Sequence, residues 1–400
     1  MNRIFYSDGV MSSLFHTLVI FIFLVLFVGE AGGYEFKLTP SLSVREEYND
    51  NIFLSEDNIK KDYIITLSPS LELTNRTERL DTSLFTGLNV LRYVRNHDLN
   101  AEEQNYRGRL RYSLHPKLKF SIDAGFTKDY RPDRDLEVSG LVMKPVRRYR
   151  QNYAAGTEYT FSEKTKANLS YSYERSDFDD PEFVDVKAHD ANLGFVRDLS
   201  QYSSATMGRL NLGYSRYQFQ DSTVDYYYST IGMSRALSKK WNLLIDAGGS
   251  LARSKLERAV NEQKTERQRG WVGQGTLAYK GEKTTGELTL GHRVMPAVGR
   301  TGVAERTSLT INVKHRFTYE LSGRLSAGYY INKSEMGKFS TVPIDEATFR
   351  VNPIIRYEFS KKMALEASYS YAFIKDKQQH TEAKRNLFMI NFVIQYPLFE

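Results

Sequence analysis

The stretch Leu118-Lys119-Phe120-Ser121-Ile122-Asp123-Ala124-Gly125-Phe126 decides the fold, because apolar and polar residues alternate along it without a break. Side chains in a β-strand point alternately to opposite faces, so this segment has one apolar face and one polar face. The same alternation runs through residues 167–173 and 365–373. Apolar residues at helical spacing are not sustained over any segment after residue 33, and the chain is therefore predicted to be all-β.

Two kinds of connection separate the predicted strands, and they alternate along the chain. Short polar turns recur about every 40 residues, with a longer polar connection midway between them. This alternation is typical of outer-membrane barrels, which have tight turns on the periplasmic side and long loops outside. The short turns are predicted at 75–78, 115–117, 162–164, 199–201, 238–240, 281–283, 320–323 and 360–362, and the long connections at 50–62, 131–147, 178–186, 253–265, 296–304 and 333–346.

Strand length distinguishes a membrane barrel from soluble β-proteins. The predicted strands have about 10 to 14 residues, enough to cross a membrane when tilted, whereas strands of soluble sandwiches are shorter. A solenoid is disfavoured because no motif recurs within the repeating unit. The pattern predicts one transmembrane antiparallel up-and-down β-barrel of about 18 strands, with 16 as the alternative and both termini periplasmic.

The first 33 residues are predicted to be a cleaved signal peptide, which leaves residues 34–400 as a single barrel domain. Residues 18–28 form an apolar run, preceded by Arg3 and followed by small residues at Ala31 and Gly33. The run is shorter than a comfortable membrane span, so cleavage is favoured over a permanent anchor. Translation can start at Met1 or at Met11, and the sequence leaves this open.

Aromatic residues crowd the predicted strand ends. The chain has 27 Tyr and 23 Phe, and rings of this kind prefer the membrane interface, where the ring is buried and the hydroxyl is wet. The excess is thus explained without a ligand. The residues assigned to these belts are Tyr93, Tyr112, Tyr130, Tyr149, Tyr159, Phe161, Tyr279, Phe317, Tyr357, Phe359, Phe373 and Tyr396.

Two segments near the start of the mature chain resemble a known family. Leu38-Thr39-Pro40-Ser41-Leu42 and Tyr48-Asn49-Asp50-Asn51-Ile52-Phe53-Leu54, followed by the strand Ile65–Leu71, are similar to the opening of the putative β-barrel porin 2 family. The specific resemblance covers about 40 residues, and the rest of the chain shares only the strand rhythm. It implies an outer-membrane barrel of the kind found beside exopolysaccharide and surface-polymer export systems.

The polar face of the predicted strands is rich in arginine. Arginine facing lipid would cost about 2 to 4 kcal/mol at the midplane, so these side chains are assigned to the lumen. A basic lumen would favour anions, although the same arginines can instead pair with luminal carboxylates and fill the barrel. The candidate pore-lining residues are Arg107, Arg109, Arg111, Arg148, Arg150, Arg209, Arg293, Arg306, Lys314, Arg316, Arg350 and Arg356.

The sequence offers no motif for catalysis, and no catalytic residue, metal ligand or cofactor is predicted. The 7 His are scattered and match no hydrolase or metal-binding spacing. The chain has no Cys, which excludes disulfides and thiolate sites. A calcium site at Asp50, Asp57 and Asp62 is a weak alternative, because their spacing matches no tight ligand cage. Arginines spread over many strands argue against nucleic-acid binding.

The chain is therefore predicted to be a porin-like, non-enzymatic channel of a Gram-negative cell outer membrane. The preferred hypothesis is an anion-preferring conduit for diffusion or export of a polar or anionic glycan such as an exopolysaccharide. The alternative is a closed structural or docking barrel that holds a surface polymer or a partner, and a hydrolase is the weaker third. Expected partners are outer-membrane lipid and lipopolysaccharide, the barrel-assembly machinery, and polysaccharide or export components.

Overall fold

The computed structural model describes residues 35–131, 135, 145–258, 262–297, 299–334 and 343–398, so the predicted signal peptide lies outside the described residues. Within these ranges eighteen strands follow one another along the chain. They are β1 (Glu35–Asn49), β2 (Asp62–Arg76), β3 (Leu80–Tyr93), β4 (Ala101–His115), β5 (Leu118–Asp129), β6 (Arg148–Ser162), β7 (Thr165–Phe178), β8 (Val186–Asp198), β9 (Thr206–Gln218), β10 (Ser222–Ala236), β11 (Trp241–Arg258), β12 (Glu262–Lys280), β13 (Thr284–Pro296), β14 (Val303–Arg316), β15 (Leu321–Ser334), β16 (Ile344–Ser360), β17 (Met363–Asp376) and β18 (Thr381–Gln395).

The strands form one closed antiparallel barrel. Each strand pairs with its neighbours in sequence, and β1 pairs with both β2 and β18, which closes the sheet. The predicted barrel of about 18 strands is confirmed. Among the described residues, no helix is both long enough and apolar enough to cross a membrane.

The connections divide the barrel into two ends. We call the end that carries the longer connections, such as residues 50–61 and 130–147, the loop end, and the other the turn end. One predicted connection is wrong, because residues 253–265 are mostly paired backbone of β11 and β12, from Arg253↔Arg267 to Arg258↔Glu262. Polar side chains suggested a loop there, but strand pairing uses backbone groups and continues where both faces are polar.

Strand register shows which residues share a face. Directly opposed residues in an antiparallel pair point the same way, so one face can be followed strand by strand around the barrel. One face exposes large apolar side chains, such as Phe120, Ile122 and Leu290, to the surroundings. The opposite face is joined by contacts between strands that are not neighbours, for example Arg131 after β5 with Glu47 on β1, and this face lines the lumen.

The aromatic residues that the sequence assigned to the belts follow this division with two exceptions. Residues such as Tyr159, Tyr357 and Phe359 face outward near the turn end, in keeping with an interfacial belt. Tyr93 and Tyr130, assigned to the belt from sequence, instead pack in a cluster on the inner side with Ile52, Ile64, Leu91 and Leu99. Tyr93 shares the inward parity of its register partner Ile64, and this parity overrides its position near a strand end.

The segment that resembles the family forms a hydrogen-bonded corner at the loop end. Asp50 accepts hydrogen bonds from the backbone N–H and side-chain amide of Asn386 on β18, both at 2.7 Å. The Asn51 side-chain amide donates to the carbonyl oxygen of Lys384 at 2.9 Å and to that of Ser55 at 2.7 Å. The segment therefore ties the first strand to the last across the closing seam.

Asp62 is the second anchor of this corner. Its fully buried carboxylate accepts hydrogen bonds from the backbone N–H groups of Tyr63, Arg95 and Asn96 and from the Asn96 side-chain amide, at 2.8 to 3.1 Å. Asp50 and Asp62 are thus both engaged as acceptors for N–H groups of the protein. No group of three His, Asp or Glu side chains in the described part of the chain is placed to hold a metal ion.

Replacing Asp62 by Ala is expected to lower the free energy of unfolding by about 1–3 kcal/mol, since buried N–H donors of the corner lose their acceptor. Asp57 lies in the same connection with an exposed side chain and provides the control. Asp57→Ala should change stability by no more than about 0.5 kcal/mol. Urea unfolding of the barrel in lipid vesicles measures both variants, and equal stabilities would contradict the anchoring role of Asp62.

Candidate functional site: the inner wall of the barrel

The register places all twelve candidate pore-lining residues on the inward face. They pair across strands with residues of the same face, for example Arg109 with Asp123, Arg148 with Asp129, and Arg306 with Asn332. The inward direction of these side chains could be predicted because arginine alternates with apolar residues on several of these strands. A role in conduction stays a prediction, and the local surroundings of the twelve differ strongly between the two ends.

At the loop end the cations are buried and paired. The Arg148 guanidinium is 4% exposed and lies 2.8 Å from Asp129 and 2.8 Å from Asp135, a residue of the 130–147 connection. Asp135 also interacts electrostatically with Arg306 of β14, on the far side of the barrel. Because β6 and β14 are not neighbours, Asp135 lies inside the lumen. Of the connection predicted at 131–147, the structure describes Arg131, Asp135 and residues 145–147.

A second ion pair brings this connection across the lumen to β1. Arg131 lies 2.8 Å from Glu47, whose side chain is 2% exposed. Arg45, one inward position along β1, lies 3.5 Å from the same carboxylate. Two arginines from different parts of the wall therefore converge on one buried carboxylate beneath the loop end.

Elsewhere on the wall, four of the candidate arginines have a carboxylate partner on the same strand or a nearby one. This is the wall-filling arrangement that interior arginines often adopt. The pairs are Arg109–Asp123 at 3.0 Å, Arg150–Glu174 at 2.7 Å, Arg209–Asp246 at 3.1 Å, and Arg356 with Glu366 at 2.6 Å and Glu358 at 3.0 Å.

Aromatic and buried polar groups hold several of the other candidates. Arg107 stacks over the inward Phe85 ring at 4.6 Å, and Arg316 lies over Tyr319 at 5.8 Å. Arg306 donates to Asn332 at 2.8 Å and is buried, as is Arg350. Arg293 interacts electrostatically with Asp190 of β8, which is five strands away around the barrel.

A smaller set of inward cations lies near the turn end and has no ion-pair partner among the described residues. Arg111, together with Lys119, lines a cavity of about 500 Å³ between β4 and β7. On the other side of the barrel Lys314 lies directly opposite Arg324 in the β14–β15 register. Lys119 and Arg324 were missed from sequence, although their strands alternate regularly. The signal that would have found them is the parity set by their strand partners.

The largest feature that the sequence did not predict is a hairpin tip that leaves the wall. Pairing between β12 and β13 stops at Gly273↔His292, whereas β12 stays paired to β11 up to Glu262. Beyond this point the ends of β13 and β14 turn inward with their connection. We call residues 293–306 the inward tip. At its end the backbone of Gly299 accepts a hydrogen bond from Val184, in the connection between β7 and β8.

The inward tip packs against opposite parts of the wall. Val294 and Val303 are buried in a cluster with Val186, Ala188, Tyr217, Phe219, Val224, Tyr226 and Ala252 from the β8–β11 side. On its other side, Ala297 and Ala304 pack on Ile344 of β16, and Arg300 lies 2.6 Å from Glu346. Contacts on both sides show that the tip spans the lumen. The sequence carries one signal for it, since Gly299 and Gly302 adopt positive φ values of 77° and 97°, which glycine accommodates without strain.

Three histidines of the strands, His189, His292 and His315, lie on the outward face. His189 contacts the Tyr171 hydroxyl at 2.8 Å, and His292 contacts Thr307 at 2.9 Å and stacks on Trp271. His315 contacts Thr284 at 2.7 Å. All three have the outward parity of the apolar belt, so the described inner wall does not bring them together with the luminal carboxylates.

Comparison with solved structures gives matches at low sequence identity. OccAB4 of Acinetobacter baumannii shares 11% identity and a TM-score of 0.47 over 90% of this chain and 98% of that chain. The outer membrane protein opdK of Pseudomonas aeruginosa shares 12% identity and a TM-score of 0.44 over 90% and 99%. The fold is shown by the strand pairing of this chain itself. No curated protein sequence matches the chain.

The family comparison matches a region that includes the Tyr48–Leu54 segment. Residues 28–203 match the family model described as "Putative beta-barrel porin 2", which confirms the resemblance of the Tyr48–Leu54 segment. The chain is therefore an 18-stranded antiparallel β-barrel whose first half is similar to a family of β-barrel porins.

Proposed function

We propose that this barrel is an anion-preferring channel whose turn-end half is an open basic vestibule and whose loop end is closed by the inward tip. The observation that carries the proposal is the set of inward cations near the turn end that have no ion-pair partner among the described residues, Arg111, Lys314 and Arg324. Cations exposed to a narrow aqueous lumen in a low-dielectric wall raise the local concentration of anions. The paired arginines of the loop end would contribute little to this field.

Ion selectivity in planar bilayers tests the proposal. A salt gradient should give a reversal potential that indicates anion preference, and replacing Arg111, Lys314 and Arg324 by Gln should move it toward zero. The control replaces three outward, ion-paired cations by Gln: Arg92 with Glu102, Arg175 with Asp177, and Lys375 with Glu382. This outward control triple carries the same change of charge and should keep the selectivity. Cation preference of the unmodified barrel would overturn the proposal.

The solute that we propose is a polar or anionic glycan, as the family resemblance implies. The same bilayer recordings test the solute: an anionic oligosaccharide should interrupt the current at lower concentration than a neutral one of equal length.

A closed docking barrel is the second candidate, and the inward tip favours it. Val294, Val303, Ala297 and Ala304 are all buried, so the tip is packed as a core element. If the tip never leaves this position, the lumen serves as a rigid support and the loops hold a partner. Removing the tip distinguishes a channel closed by the tip from a closed docking barrel, because only the former should gain conductance.

A further inference from the structure

The outward face of β9 to β12 carries an unbalanced cationic row just above the apolar band. Register places Arg216, Asp225, Arg253 and Arg267 side by side on neighbouring strands. All four share the outward parity of Leu212 and Ile245, whose side chains are exposed on the barrel surface. Three arginines therefore share one row with a single carboxylate.

The next row toward the turn end marks the membrane boundary. Tyr214, Tyr227, Leu251 and Arg269 are register partners, and the two tyrosine rings lie 5.0 Å apart. Outward tyrosines above an apolar band are the usual sign of the interface between hydrocarbon and headgroups. The cationic row thus lies at the depth of lipid headgroups, with Arg269 at its lower edge.

The one carboxylate of the row is already engaged. Asp225 accepts hydrogen bonds from Arg216 at 2.7 Å and from the Tyr214 hydroxyl at 2.8 Å. Arg253 has a buried Nε without a hydrogen-bond partner among the described residues, and Arg267, which lies directly opposite it, is exposed. Like charges directly opposite each other on neighbouring strands are destabilising unless an anion lies between them.

Other outward sectors of the loop end balance their charges. Arg92, Arg175 and Lys375 each have a carboxylate within 3.6 Å. The β11–β12 sector differs a second way, since β12 from Glu262 to Val272 has no β13 partner among the described residues. Unpaired backbone N–H groups along that edge add donors for an anion.

We propose that Arg253, Arg267 and Arg269 bind the phosphate groups of a phosphorylated glycolipid in the outer leaflet. Arginine forms paired, charge-assisted hydrogen bonds with phosphate, and the aromatic row below contacts the acyl chains. This site is on the outside of the barrel and is independent of conduction, so it stands or fails separately from the proposed channel.

Native mass spectrometry of the detergent-solubilised barrel with diphosphoryl lipid A tests the site. The variant Arg253→Gln/Arg267→Gln/Arg269→Gln should bind this lipid about tenfold more weakly or worse. The outward control triple changes the net charge equally and should bind within about twofold of the unmodified barrel. Chemically dephosphorylated lipid A should bind all three proteins weakly.

Three outcomes would overturn the proposal. These are equal losses in the two triples, equal binding of lipid A with and without phosphate, and binding of phosphatidylglycerol as tight as that of diphosphoryl lipid A. A folding check by heat-modifiable migration on gels distinguishes loss of binding from loss of the barrel.

Discussion

Shortening the inward tip will raise the conductance of the barrel several-fold. The change replaces residues 294–305 by a two-residue Asn-Gly turn. Arg293 and Arg306 are register partners, so this turn can close the hairpin without changing the pairing below it. Because the tip packs on β8–β11 and on β16, its removal opens this part of the lumen at the loop end and leaves only the contacts of Arg131 and Asp135 there among the described residues.

Single-channel recording in planar bilayers measures this effect. The matched control replaces residues 377–380 by the same Asn-Gly turn between Asp376 and Thr381, which are also register partners. The side chains of residues 377–380 are exposed. The barrel with this connection shortened should therefore have the same conductance as the unmodified barrel. If both shortened barrels conduct alike, the tip is not the barrier and the closed state would have to reside elsewhere.

Removing Arg148 is expected to be the most destabilising single substitution in the wall. Arg148→Met leaves Asp129 and Asp135 buried without their cation, and breaking a buried ion pair from one side costs about 3–5 kcal/mol. Arg150, on the same strand, is 37% exposed and pairs with Glu174. Its replacement by Met should cost no more than about 1 kcal/mol.

Urea unfolding in lipid vesicles compares these variants. Adding Asp129→Asn and Asp135→Asn to Arg148→Met should recover much of the loss, since the uncompensated charges are gone. A triple variant as unstable as Arg148→Met alone would show that the guanidinium acts through packing and not through its charge.

The strand number and the two faces could be predicted because both depend on local alternation. A period of two sets the face of every residue once one strand is assigned, and Arg107, Arg109 and Arg111 show this directly. The partners of these arginines could not be predicted in the same way. Asp123 faces Arg109 because of the β4–β5 register, and that register depends on the turn at Pro116 and Lys117.

The inward tip could not be predicted because its one local signal, the glycines Gly299 and Gly302, indicates a turn but not the direction in which the hairpin leaves the wall. Residues 286–294 alternate like other strands, and the point where β13 leaves β12 depends on surfaces across the lumen such as Val186 and Tyr217. The 253–265 segment failed for a different reason. Charged residues on both faces resemble a loop, although outside the membrane a hairpin can be polar on both sides and remain paired.

The bonds from Asp50 and Asn51 to β18 have a consequence for how the barrel forms. Asp50 and Asn386 are separated by 336 positions, and Asn51 and Lys384 by 333. Contacts of such high contact order carry a large loop-closure entropy and form late unless the intervening chain is already ordered. The corner formed by Asp50 and Asn51 at the beginning of the barrel is therefore completed only when the last hairpin arrives, which makes it a reporter of finished assembly.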